Sequence, residues 1–282
     1  MRSTKHTCAA LFSLALLASL TAFAEPSAQT AFYGPEGDYQ RSLDIYSGAD
    51  GPPLPVVLFV HGGGWAFGDK TDVGAKPGFF LDNDIAFVSM NYRLRWDYQV
   101  ADRAANVAAA LAWLRRQTEV HNIDAHRVAL MGHGSGAHLV SLVATDSSHL
   151  KAAGLELRDV GGVVAVAGDA FDIGRQMREL GSFLQRRRLE LIFGSEEKRW
   201  AAQSPMTHVA PGKGMPALAL LHVDEELAAL QTRGFAKRLT DANVDTVLLP
   251  ARGETRDSLG SKLGQGNTPA SIGLLTFLRA RL

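Results

Sequence analysis

The chain has 282 residues, 46% hydrophobic and 21% charged, a composition that excludes a disordered tail, a collagen-like repeat and a polytopic membrane protein. Its 29 Lys and Arg balance 29 Asp and Glu, so no excess charge draws it to nucleic acid or anionic lipid. A chain of this length can bury a large core as one α/β domain.

The first 24 residues carry Arg2 and Lys5, then an apolar run from Cys8 to Leu20, then Ala22-Phe23-Ala24 before Glu25. A basic start, a short apolar stretch and an A-x-A site describe a secretory signal peptide, with cleavage expected after Ala24. The alternative, an uncleaved anchor, is opposed by an apolar run shorter than the ~20 residues that span a bilayer. Removal would leave 27 basic and 29 acidic residues and no cysteine, since Cys8 is the only one. The expected location is secreted or periplasmic, with no membrane contact after cleavage.

A polar, Gly- and Pro-rich lead runs from Gln29 to Pro55. Beyond it, short apolar runs predict strands at Val56–Val60, Ile85–Met90, Arg127–Met131, Val163–Val166, Ala217–Val223 and Thr246–Leu249. Between them, spacing of three and four predicts helices at Val100–Arg116, Ala137–Ala144, Leu227–Leu239 and Ser271–Leu282. Strands with little polar alternation belong to a parallel sheet covered on both faces, so the expected fold is α/β. No repeat or linker divides residues 25–282, which read as a single domain.

The first of these strands runs into His61-Gly62-Gly63-Gly64-Trp65. Successive glycines bring backbone N–H groups close to a ligand, and such an array can stabilise an oxyanion. A plain tight turn is the other reading of the same residues. The second signal is Arg127-Val-Ala-Leu-Met-Gly-His-Gly-Ser-Gly-Ala-His-Leu-Val140: a strand, a sharp turn and a helix. Together with Asn91-Tyr92-Arg93-Leu94, these segments make the chain resemble α/β-hydrolase esterases and lipases. The likeness runs from about Leu43 to the C-terminus and is strongest to secreted esterases of the feruloyl-esterase-like and kynurenine-formamidase-like kind. It implies a mostly parallel sheet, no cofactor and no metal.

The resemblance also implies a nucleophile elbow, G-x-S-x-G, with serine at the apex. Here the five positions are Gly132, His133, Gly134, Ser135 and Gly136, so the apex is Gly134 and has no side chain. Ser135 falls one residue later, where its N–H would join Gly62, Gly63 and Gly64 in the oxyanion hole. In the family, the general base lies about seven residues before a Leu-Gly pair near the C-terminus. Leu263-Gly264 sets that position at Arg256, and arginine stays protonated. No histidine follows His222. The acid that would orient a base is expected after strand Ala217–Val223, at Asp224 first and at Glu226 as the alternative, with Glu225 between them. A solvated acidic turn at the start of the next helix is equally consistent with those three residues.

Ordinary Ser-His-acid catalysis is therefore expected to be absent, and the protein to be an esterase-like pseudoenzyme that binds a small ester or carboxylate. Glycine N–H groups, the helix start at Ser135 and Arg256 would favour an anion. Arg256 could instead form an ion pair with Asp224 or Glu226. The alternative function is a working carboxylesterase with Ser135 as displaced nucleophile, served by His133, His61 or His138. A metal-dependent hydrolase is disfavoured, because no segment has H-x₃-H or H-E-x-x-H spacing. Residues 171–206, with Arg186-Arg187-Arg188, are expected to form a cap over the pocket.

Overall fold

The computed structural model describes residues 26–48, 50–94, 98–117 and 121–282. The expected signal peptide, its cleavage site and Cys8 lie outside these residues. Among the described residues, eight strands make the sheet: β1 (Gln29–Phe32), β2 (Ser42–Tyr46), β3 (Leu54–Val60), β4 (Ala86–Met90), β5 (Ile123–His133), β6 (Gly162–Val166), β7 (Ala217–His222) and β8 (Thr246–Pro250). Their order is β1-β2-β4-β3-β5-β6-β7-β8. Strand β2 is antiparallel to β1 and β4, and every pairing from β4 to β8 is parallel.

The apolar strand runs follow from two covered faces. Along β3, Val56, Leu58 and Val60 join one core, while Val57 and Phe59 join the other. The first core is closed by α2 (Val100–Leu114) and α3 (Ser135–Thr145), through Val107, Leu111 and Val140. The second is closed by α1 (Lys76–Leu81) and α10 (Pro269–Arg279), through Phe80, Leu274 and Phe277. Each such side chain contributes about 1.5–3 kcal/mol on full burial. The remaining helices are α4 (Ser147–Ala152), α5 (Ile173–Glu179), α6 (Phe183–Phe193), α7 (Glu197–Gln203), α8 (Glu226–Asp241) and α9 (Arg256–Lys262). No described helix is long and apolar enough to cross a membrane.

The polar lead turns out to hold two strands, β1 and β2. All five residues of β2 are buried, Asp44 included. That carboxylate accepts a hydrogen bond from Thr30 at 2.6 Å and pairs with the buried Lys70 ammonium. Partnered burial of charge explains why a strand can read as a loop. The expected cap region, 171–206, contains α5, α6, α7 and the start of the turn Pro205–His208, which follow β6 on the carboxyl side of the sheet. Within α6 only Ile192 and Phe193 are buried.

Candidate active site

Strand β5 ends at His133 and α3 starts at Ser135, so the whole reversal rests on Gly134. Its backbone sits at φ 54°, ψ −114°, a conformation that side chains with a Cβ adopt only under strain. The Gly134 N–H donates to the Val166 carbonyl at 2.9 Å, which fixes the turn to β6. The flanking glycines have a different cause. A methyl on Gly132 would collide with the Gly136 carbonyl, and one on Gly136 with the Val60 carbonyl, so strand and helix could not approach. At Gly134 the space is open, with the nearest atom to an added Cβ 4.0 Å away at Gly62 Cα.

Above this turn lies a cavity of about 690 Å³, lined among others by Gly63, Gly64, Gly134, Ser135, Arg188 and Arg256. Among the described residues, no hydrogen-bond acceptor takes the N–H of Gly63, Gly64 or Ser135. Three of the four expected oxyanion-hole residues thus border the cavity. Gly62 instead borders an adjoining hollow beside His133.

The Ser135 hydroxyl turns inward. It lies 3.4 Å from the Tyr92 hydroxyl, which donates to the His61 carbonyl at 3.1 Å, and Ser135 is 3% exposed. Burial pushes the Tyr92 phenol up to about 12, so it stays neutral and offers no base. Among the described residues, no imidazole lies within hydrogen-bond reach of Ser135 Oγ.

Each nearby histidine has another task. His61 stacks on Tyr92 with ring centroids 4.4 Å apart and bonds the Gly62 carbonyl through Nδ1 at 2.7 Å. His133 donates from Nε2 to the Arg256 carbonyl at 3.0 Å, with its ring against Gly260. Burial lowers the pKa of both. His138 accepts from Trp65 Nε1 at 3.2 Å and donates from its own Nε2 to the Gln203 carbonyl at 2.9 Å. It ties the glycine loop, α3 and α7 together. Burial pushes its pKa down to about 4, so the ring is neutral.

Arg256 opens α9, next to the elbow through its carbonyl bond with His133. Its guanidinium donates to Asp169 at 2.7 Å and reaches Glu225 at 3.4 Å. Burial opposes the charge, but Asp169 and then Glu225 outweigh it and raise the pKa further. The expected ion pair therefore exists with other partners. Asp224 and Glu226 are exposed, and the structure brings neither to Arg256. Asp169 had one readable signal: it comes just after a strand, at the carboxyl edge of the sheet where α/β sites gather. No group of three or more His, Cys, Asp or Glu side chains among the described residues could hold a metal.

The sheet order, the elbow after β5 and the glycine array after β3 define an α/β-hydrolase of the esterase class. Within that class the chain belongs to the BD-FAE family, whose model matches residues 43–237. Arg256 lies beyond the matched segment. Among curated relatives, the chain is 26% identical over 265 residues to esterase LipC of Mycobacterium tuberculosis, covering 86% of this chain and 62% of that protein. It is 26% identical over 232 residues to esterase LipQ of the same organism, covering 76% and 53%. The chain spans less than two thirds of the length of the curated relatives it matches. Among solved structures, a truncated carbohydrate esterase from gut microbiota superposes with TM-score 0.76 at 17% identity, covering 90% of this chain and 96% of that one. Inhibited esterase B from Lactobacillus rhamnosis superposes with TM-score 0.74 at 22% identity, covering 90% and 86%. At these identities the superpositions establish the fold.

Proposed function

We propose that this protein is a secreted or periplasmic member of the esterase class that lacks Ser-His-acid catalysis and binds a small ligand over the elbow. The carrying observation is Gly134 at φ 54°, ψ −114°: the strained apex is built, and nothing on it can attack a carbonyl. Arg256 at the base position supports the same reading, since its guanidinium serves Asp169 and Glu225 and cannot accept a proton. Without nucleophile and base, binding and an oxyanion hole alone give only ~10³–10⁴-fold acceleration. The open cavity and the unused N–H groups of Gly63, Gly64 and Ser135 favour a ligand with an anionic or carbonyl oxygen. An esterase of Thermogutta terrifontis with the same fold, 20% identical, has been solved with butyrate bound. Secretion rests on the basic, apolar and A-x-A pattern of residues 1–24.

The test is labelling of the purified protein with a fluorophosphonate probe. No labelling is expected. Labelling that vanishes in Ser135→Ala would establish a displaced nucleophile and overturn the reading.

A further inference from the structure

The geometry points to Arg188, on the cap helix α6, as the cation that anchors a monocarboxylate ligand in the cavity. This rests on the binding role proposed above and names the chemistry of the ligand. Among the described residues two arginines line the cavity, and they differ in what holds them. Arg256 is shared between Asp169 and Glu225, so its charge is already answered by two carboxylates. Arg188 has no carboxylate partner among the described residues. Its neighbours Arg186 and Arg187 pair with Glu190 at 3.2 and 2.7 Å, which leaves that glutamate occupied.

The position of Arg188 is specific. A methyl placed on Gly64 would lie 2.6 Å from Arg188 Nη2, so the guanidinium rests on the face of the glycine loop. Gly63 and Gly64 of that loop and Ser135 at the start of α3 all border the cavity, and among the described residues their N–H groups have no acceptor. A carboxylate set between them gains donors on both sides: backbone N–H groups from the core and guanidinium N–H groups from the cap. An ester or amide carbonyl could use the backbone donors but would leave the guanidinium without a counter-charge. The Arg188 charge therefore favours the acid over its neutral derivatives, against the repulsion of Asp169, Glu225 and Asp257 in the same lining. Leu189 and Leu227 border the same cavity and suit an apolar chain on the acid.

The test uses butyrate and butyramide as probes, with binding to the purified protein followed by calorimetry at low and high salt. Expected are butyrate binding, markedly weaker butyramide binding, and a butyrate affinity that falls with salt because Arg188 is exposed. Arg188→Gln should weaken butyrate at least ~10-fold, the usual scale for a hydrogen bond to a charged group, and remove the preference over butyramide. Arg187→Gln should change neither. If Arg188→Gln binds butyrate as well as the unaltered protein, the anchor is misassigned while the binding role survives. If the unaltered protein binds neither probe, this inference falls and the binding role falls with it for short acyl ligands.

Discussion

Replacing Gly134 with alanine isolates the backbone cost of the elbow. The added Cβ meets nothing closer than 4.0 Å, so no steric clash confuses the result. What remains is the φ of 54° with ψ −114°, a conformation that costs a residue with a Cβ about 1–3 kcal/mol. Alanine also restricts the unfolded chain, which returns about 0.4–1 kcal/mol. The net expectation is a loss of roughly 1–2 kcal/mol, or a Tm lowered by ~2–8 °C for a chain of this size. Urea unfolding and calorimetry on the purified variant measure both quantities. Gly78→Ala is the matched control: it lies in helix α1, meets nothing within 4 Å and has no positive φ, so its Tm should hold or rise. A Gly134→Ala variant as stable as the unaltered protein would mean that residue 134 is not the strained apex, and the nucleophile position would have to move.

Activity should return only when two positions change together. Gly134→Ser fills open space at the apex, and Arg256→His puts an imidazole beside Asp169; a short-chain p-nitrophenyl ester should be hydrolysed by the double variant at least ~10²-fold faster than by either single one. A folded double variant at background would show that residue 256 is not the base position. Acid should destabilise the protein through His138, whose folded pKa of about 4 lies below the unfolded value near 6.5. Between those values the unfolded chain binds more protons, so stability falls as pH drops from ~6.5 to ~4, by about 3 kcal/mol from this residue. His138→Gln should flatten the pH dependence measured by urea unfolding in that window; an unchanged slope would refute the assignment.

The central strands and the sharp turn from β5 into α3 were readable because their signals are local: apolar runs, and three glycines whose spacing sets the turn. The helix starts were less so. Helix α3 begins at Ser135, where the elbow motif puts it and two residues ahead of the Ala137 that apolar spacing gives, because the glycine at the apex gives no apolar period to count from. Strands β1 and β2 escaped because Asp44 is polar in sequence yet buried with Lys70 and Thr30, a partnership across 26 and 14 positions. The partners of Arg256 escaped for a related reason. Asp169 is 87 residues away, and Glu225 faces the arginine while Asp224 and Glu226 do not, which depends on how the turn after β7 enters α8. Nor does a motif reveal that Ser135 turns toward Tyr92.

Helix α6 has its buried side chains, Ile192 and Phe193, at one end. Phe193 packs edge-on to Trp65 at 4.8 Å and near His138 at 5.6 Å, while Phe183 and Leu184 at the other end are more than 70% exposed. To helix propensity and the Arg186 and Arg187 pairs with Glu190, each about 0.2–0.5 kcal/mol, its first two turns add only the contacts of Arg188 with Gly64 and of half-buried Leu189 with the core, so they open well below the global unfolding energy. Amide hydrogens there should exchange with solvent orders of magnitude faster than those of α3. Arg188 sits in this lightly held stretch, so a ligand that grips it also holds the helix in place, and part of its binding energy goes into ordering α6.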